Sequence, residues 1–364
     1  MPIDFHDWEN EARKKLGAGP FGYVHGGAGA GDTIKANSEG FQKYRLIPRA
    51  CCNVANRDLT IDLLGHKFKF PLMMAPIGVN SICHPSAEQI PAEVAAELEV
   101  PYILSNVSTI SLEEAAQHNK NGVRWFQLYP PKDKDLTKSF IDRAQKAGYT
   151  AIVVTVDSKL LGWREEDLRN QFLPFLSGQG MGNYFSDPVF RSKLKKSPKE
   201  DLHAAVELAL SEGNNEQFSW EDFSLICRYS KLPVLLKGVT HPEDALLAVQ
   251  HGASGIIVSN HGGRQLDGAI GTLEALPDVV EKVKDEVPVL MDSGIRRGAD
   301  VIKAIALGAK AVLVGRPYIY GLAVAGKKGV TYVLENLIAE TELQMAICGR
   351  SSIKDVDSRL IKKI

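Results

Sequence analysis

GIIVSNHGGRQLDG, residues 255–268, starts as an unbroken apolar run and passes directly into Ser259, Asn260, His261, two glycines and Arg264. A short apolar run that ends in turn residues reads as a buried strand. Its apolar part is continuous rather than alternating, so both faces of the strand are covered, as in a parallel sheet. Seven other stretches share the pattern: PLMMAPIG (71–78), YILSNVS (102–108), VRWFQLYP (123–130), AIVVTVDS (151–158), PVLLKGV (233–239), PVLMDSG (288–294) and AVLVGRP (311–317). Between most of them lie segments with apolar residues at helical spacing, such as KDLTKSFIDRAQKAG, PEDALLAVQHGA and RGADVIKAIALGA. Several end in Gly, as helices often do. Strand and helix in alternation imply a parallel sheet, and eight such units predict a closed (β/α)8 TIM barrel. An open doubly wound sheet is the alternative, but no G-x-G-x-x-G follows the first strand.

Two stretches stand outside the repeat. Residues 1–70 precede the first strand and are expected to form an N-terminal cap on the bottom of the barrel, with a helix, a Gly-rich loop and a hairpin. Residues 159–229 separate the fourth and fifth strands, and a connection of that length is often a lid over a site. The whole of 1–364 is read as one barrel domain carrying these two additions.

Bulk properties narrow the function classes. The chain is 44% hydrophobic and 24% charged, ordinary for a globular protein, and its net charge of −1 gives no electrostatic reason to expect nucleic acid or an anionic membrane as partner. No apolar run approaches the ~20 residues that span a bilayer. The start, MPIDFHDWENEARKKL, has neither the apolar core of a secretory signal nor the acid-poor character of a transit peptide, and the end, RLIKKI, is not a peroxisomal address, so a cytoplasmic location is expected. Cys51, Cys52, Cys83, Cys227 and Cys348 include no C-x-x-C pair, which argues against a zinc site or a disulfide framework; no metal is expected.

Barrel enzymes carry their working groups at the C-terminal ends of the strands. Here those ends hold Pro76-Ile77-Gly78, Ser105-Asn106, Gln127 with Tyr129, Thr155 with Asp157, Lys237, then Ser259 with His261 and Arg264, Asp292, and Gly315-Arg316. Any one of these could be a solvated strand end; polar residues recurring at the same relative place from strand to strand point to a site. The loops after strands 7 and 8 of barrels often bind phosphate through backbone N–H groups and a helix N-terminus, a role that fits Gly294, Gly315 and Arg316 with Arg296 beside them. Lys237 lies in an otherwise apolar strand, where an ammonium needs an anion. It could form a Schiff base, pair with a carboxylate or hold an anionic cofactor. His261 and Asp292 fall on neighbouring strands by this count, so Asp292 is expected to orient His261 as a general base. Arg264, Arg164 and Tyr23 complete a set suited to a small carboxylic acid.

These motifs resemble the FMN-dependent 2-hydroxy acid oxidases and dehydrogenases, which include glycolate oxidase and lactate oxidase. The likeness runs from about Phe5 to Arg350 and rests on GYVHGGAG, APIG, WFQLY, TVDSKLLGWR, LLKGV, SNHGGRQLDG, MDSGIRRG and GRP. FGYVHGGAG, APIGV, LGWR and NYFSDPVFR look most like the lactate 2-monooxygenase branch. Gly78 is alanine in many relatives and would leave more room on the reacting face; Val107 replaces a bulkier residue of glycolate oxidase.

The resemblance implies FMN as cofactor, a small L-2-hydroxy acid and oxygen as co-substrates, and a homotetramer or homo-octamer. It implies that Arg264, Arg164 and Tyr23 hold the substrate carboxylate, that Tyr129 and His261 meet its hydroxyl, and that His261 takes a proton with Asp292 behind it. Lys237, Ser105, Gln127, Thr155 and Ser259 would serve the flavin and its ribityl chain together with Pro76, Ile77 and Gly78, and Gly294, Arg296, Gly315 and Arg316 its phosphate. Lactate to acetate, carbon dioxide and water is the expected monooxygenase outcome. Release of the 2-oxo acid and peroxide, or transfer of electrons to another acceptor, are the alternatives within the family. A phosphate-binding aldolase using Lys237 as a Schiff base is the alternative outside it.

Overall fold

The computed structural model describes all 364 residues. Eight parallel strands close into a barrel, in the order β7-β8-β1-β2-β3-β4-β5-β6. They are β1 (Leu72–Met74), β2 (Tyr102–Leu104), β3 (Arg124–Leu128), β4 (Ala151–Thr155), β5 (Val234–Val239), β6 (Gly255–Val258), β7 (Val289–Met291) and β8 (Ala311–Val314). Each falls within one of the eight apolar stretches, and the (β/α)8 architecture is as expected.

The reason that both faces are apolar is visible in the packing. Met73, Ile103, Trp125, Val153, Leu235, Ile257, Leu290 and Leu313 pack together in the barrel interior. Their neighbours in sequence, such as Met74, Phe126, Val154, Leu236 and Val258, pack outward with the helices. Because successive side chains of a strand alternate faces, the inward phase continues from Ile103 to Ser105, Trp125 to Gln127, Val153 to Thr155, Leu235 to Lys237, Ile257 to Ser259 and Leu290 to Asp292. The register agrees: Thr155 pairs with Lys237, and Lys237 with Ile257. The polar strand ends are therefore the top of the same inward-facing layers whose lower members are Leu, Ile and Val.

The N-terminal segment divides between the two mouths. Strands Ile61–Leu63 and His66–Phe68 form a hairpin, with Leu64 and Gly65 at φ 49° and 78° in the turn. Leu59, Ile61, Leu63 and Phe68 pack against the interior layer at the bottom of the barrel. The helix Ala18–His25 does not belong to that cap. It carries Tyr23 to the C-terminal mouth, where Tyr23 meets Phe172 and Phe175 edge-on. Strand Tyr44–Leu46 pairs antiparallel with Ile361–Lys363 at the end of the chain.

The 159–229 connection is largely helical. It contains Glu165–Arg169, Gly182–Ser186, Pro188–Ser192 and Leu202–Gly213, and its last helix, Trp220–Tyr229, directly precedes β5. After β8, Arg316–Ile347 is helical, bent where Ala325 and Gly326 leave helical geometry. No helix is long and apolar enough to cross a membrane.

Candidate active site

A cavity of about 420 Å³ opens at the C-terminal mouth, within the range of small-molecule sites. Its polar wall includes Tyr23, Tyr129, Arg164, His261 and Arg264. A second sector brings Lys237 and Asp292 together with Gly294, Arg296, Gly315 and Arg316. Pro76, Ile77 and Gly78 form a third side. Ser105, Gln127, Thr155 and Ser259 are buried at the strand ends but are not part of the lining.

The turn after β6 aims the histidine. His261, Gly262 and Gly263 are left-handed in succession, at φ 59°, 66° and 76°. A Cβ at Gly262 would stand 2.9 Å from Arg316 Nη1, so the backbone passes tightly under that guanidinium. The His261 N–H donates to Ser259 Oγ at 3.1 Å, which fixes the turn against β6.

The orienting carboxylate is Asp157, not Asp292. His261 Nδ1 lies 2.8 Å from Asp157 Oδ1. A carboxylate accepts only, so Nδ1 carries the proton and Nε2 is left as the free base. Nε2 lies 3.4 Å from the Tyr129 hydroxyl. Asp292 instead meets Lys237, Oδ2 to Nζ at 3.1 Å, and Lys237 Nζ donates to Ser259 Oγ at 2.8 Å. The expectation of a His261–Asp292 pair failed because it counted strands without their loops. Asp157 lies two residues beyond β4 in the inward phase, and the left-handed turn at His261 carries the imidazole back toward β4. In the sequence the 153, 155, 157 alternation places Asp157 on the same inward face as Thr155.

Charge distribution separates the two pairs. Burial lowers the His261 pKa below the ordinary histidine value, against the pull of the Asp157 charge, and Lys237 and Arg164 push the same way as burial. Burial works to raise the Asp157 carboxyl, but the hydrogen bond from His261 and the Lys237 charge outweigh it and hold it low. Burial works to lower Lys237, and the Asp292 and Asp157 charges more than offset that, so it stays a cation. The imidazole is thus neutral and the carboxylate beside it ionised, the state a general base needs.

The arginines are short of carboxylates. Arg264 donates to the carbonyls of Tyr23 and Gly26 and lies 4.9 Å over the Tyr23 ring. Arg316 donates to the carbonyls of Val24, Gly262 and Gly26 at 2.9–3.0 Å. Arg296 donates to the Ile295 carbonyl and covers the Phe5 ring at 4.0 Å. None of the three has a carboxylate within 4.0 Å, and burial lowers the pKa of each, with a neighbouring guanidinium adding to it. Buried guanidinium groups facing a cavity without a counter-charge make an anion site. Arg164 differs: Nη2 donates to Gln265 Oε1 at 2.8 Å, Nε to the Arg264 carbonyl, and Asp167 stands 3.9 Å away. Gln265 is a positioning partner of Arg164, and nothing in its local sequence pattern announces that role.

Gly78 does not open space. A Cβ there would stand 2.6 Å from both Cγ2 and the carbonyl oxygen of Val107. The glycine lets two loops touch.

The donor set fits a flavin mononucleotide. Gln127 Nε2 and Thr155 Oγ1 are buried without a hydrogen-bond partner at the strand ends, and Ser105 Oγ donates to Gln127 Oε1 at 3.1 Å, fixing which way that amide points. Unsatisfied buried polar atoms are rare and mark a missing partner. Together with Lys237 they would serve the polar edge of the ring system. Gly294, at φ 87°, and Gly315 give a cradle in which a Cβ would meet Asn37 O at 2.6 Å and Ile77 Cδ1 at 2.9 Å, with Arg296 and Arg316 available for the phosphate.

Comparison with known proteins agrees with this chemistry. The model of the family described as FMN-dependent dehydrogenase matches residues 12–363. The chain is 45% identical to an L-lactate oxidase of Lysinibacillus sphaericus over 97% of its length and 91% of that protein. It is 39% identical to human 2-hydroxyacid oxidase 1, over 99% of this chain and 96% of the other. Among solved structures, a soluble mutant of the membrane-associated (S)-mandelate dehydrogenase of Pseudomonas putida superposes with a TM-score of 0.89 at 33% identity, covering all of both chains. The chain therefore belongs to the FMN-dependent dehydrogenase family, whose cofactor is FMN and whose chemistry is the oxidation of 2-hydroxy acids.

Proposed function

We propose that this protein is an L-2-hydroxy acid oxidase that passes electrons to oxygen and releases the 2-oxo acid and hydrogen peroxide. The observation that carries the reading is one cavity in which a neutral, Asp157-oriented His261 faces the uncompensated guanidinium of Arg264. Arg264, with Arg164 and Tyr23, binds the substrate carboxylate. The Tyr129 hydroxyl, 3.4 Å from His261 Nε2, orients the substrate hydroxyl beside the base. His261 Nε2 takes one proton from the substrate, and the Asp157 carboxylate stabilises the imidazolium that results. FMN, when bound, supplies the two-electron acceptor. Lys237, a buried cation, would stabilise the negative charge that the cofactor gains on reduction. Asp292 and Ser259 keep that ammonium in place. Arg296 and Arg316 would hold the cofactor phosphate.

The decarboxylating outcome, lactate to acetate, has no separate support: the two enzymes compared by sequence carry the names of oxidases. The resemblance extends to a homotetramer or homo-octamer, and the sequence reading to a cytoplasmic location; light scattering and fractionation would check them. The deciding experiment is anaerobic mixing of the yellow protein with L-lactate, glycolate and L-mandelate, followed by product analysis in air. Loss of the flavin absorbance and equimolar peroxide and 2-oxo acid are expected. No bleaching by any 2-hydroxy acid would end the proposal, and acetate with carbon dioxide would move the enzyme to the monooxygenase outcome.

A further inference from the structure

Behind the site lies a buried carboxylate that the chemistry above does not use. Glu88 is 0% exposed, just before the helix Gln89–Leu98. Its Oε1 accepts two backbone N–H groups from two different strand-end loops. One is Asn80 in the loop after β1, and the other is Thr109 in the loop after β2, each at 3.0 Å. Its other oxygen has no partner.

The loop it holds is strained. Val79 is left-handed, at φ 55° and ψ 40°, and fully buried. A β-branched residue in that region is a true outlier, because its Cβ substituents crowd the backbone. Such strain persists only where surrounding contacts over-determine it. Here the Val79 N–H donates to the Val107 carbonyl at 2.9 Å, and the next N–H, that of Asn80, is the one Glu88 accepts. Thr109 Oγ1 adds a bond to Ser81 Oγ at 3.1 Å across the same seam. The seam runs into the cavity: Gly78, Val79 and Val107 all line it, and Gly78 touches Val107 so closely that no Cβ fits between them.

We propose that Glu88 is a positioning residue: by clamping the Asn80 and Thr109 amides with one oxygen, it holds Val79 left-handed and so sets the Gly78–Val107 edge of the flavin cavity. The acceptor at Oε1, not the charge, carries this role. Glutamine offers the same acceptor and alanine does not. Glycine at 79 would adopt the left-handed geometry without help.

The test uses flavin-loaded Glu88→Gln, Glu88→Ala, Val79→Gly and Glu88→Ala/Val79→Gly. The readouts are the visible flavin spectrum, the midpoint potential measured by dye-coupled chemical reduction, and kcat and KM. Glu88→Ala is expected to shift spectrum and potential and to lower kcat on the order of 10-fold or more with a smaller change in KM, since small misplacements of reacting groups are costly. Glu88→Gln is expected to keep spectrum and potential, and glycine at 79 to recover most of what Glu88→Ala loses. An unchanged spectrum and kcat in folded Glu88→Ala would overturn the inference. So would a Glu88→Gln as impaired as Glu88→Ala, or no recovery from glycine at 79. If Glu88→Ala does not fold, hydrogen exchange on the unmutated holoprotein decides: slow Asn80 and Thr109 amides support the clamp, and fast ones sink it. The kinetic arm rests on the proposed hydroxy acid reaction, but spectrum, potential and exchange need no substrate. A protein that oxidises no 2-hydroxy acid would fail the functional reading and leave this one still measurable.

Discussion

His261 Nδ1 sits 2.8 Å from Asp157 Oδ1, while Asp292, on the neighbouring strand end, gives its carboxylate to Lys237 at 3.1 Å. Two carboxylates within one mouth thus serve two different groups, a neutral imidazole and a buried ammonium. One governs a proton and the other holds a fixed positive charge, and the two can be separated by substitution.

Asp157→Asn removes the ion that stabilises a protonated His261. Flavin reduction by a 2-hydroxy acid is expected to slow by about 10²–10⁴-fold, the usual worth of a well-placed acid–base group. The pH profile supplies the sign. His261 must be neutral to accept a proton, and burial already lowers its pKa, so the acidic limb of kcat/KM lies below the ordinary histidine value. Asp157 is the group that raises that pKa, so its loss moves the limb to lower pH still. A limb that stays put or moves up would remove Asp157 from this role.

Asp292→Asn acts on Lys237 instead. That ammonium is buried, and losing its contact carboxylate leaves it with Ser259 and the more distant Asp157. Breaking a buried pair from one side costs about 3–5 kcal/mol, which urea unfolding of the protein would show. Replacing both, as Lys237→Met with Asp292→Leu, is expected to cost less than Asp292→Asn alone. The acidic limb of the pH profile should move less than in Asp157→Asn.

The difference between these two aspartates also marks where sequence reading stops. Strand positions were legible because continuous apolar runs follow directly from two buried faces, and the inward phase of Thr155, Lys237 and Asp292 follows from alternation. Partners across the mouth were not. The turn at His261 reverses direction through three left-handed residues, and spacing alone does not say which strand end the imidazole then faces. Gln265 and Glu88 escaped for a related reason: each acts on backbone or on another side chain from a loop, with no periodicity to announce it. The path of residues 18–25 to the upper mouth depends on packing of Tyr23 against the inserted Phe172 and Phe175, which no local pattern encodes.

Arg264→Lys keeps the charge and loses the planar fork. A carboxylate bound by a guanidinium that has no other anion is expected to lose about 1.5–3 kcal/mol, read as a rise in KM and in the inhibition constant of oxalate of about 10–100-fold. Arg296→Lys is the contrast, since it faces the phosphate cradle. It should weaken FMN retention on dialysis while KM for the retained holoenzyme stays close to that of the unmutated protein. Equal effects of the two substitutions on KM would mean that the cavity is not divided as described.

Gly78→Ala tests the seam between the first two strand-end loops. The added Cβ would stand 2.6 Å from Val107 Cγ2, 2.6 Å from the Val107 carbonyl oxygen and 3.3 Å from Ser105 Oγ. Overpacking of this kind costs about 1–3 kcal/mol, so the melting temperature should fall and turnover with it as the two loops part. Val107→Ala in the same protein removes the Cγ2 contact but not the carbonyl one, because the backbone oxygen stays. The double variant should therefore recover only part of the lost stability. Full recovery would assign the whole conflict to the side chain, and an unchanged melting temperature in Gly78→Ala would show that the loops have slack the close approach at Gly78 does not suggest.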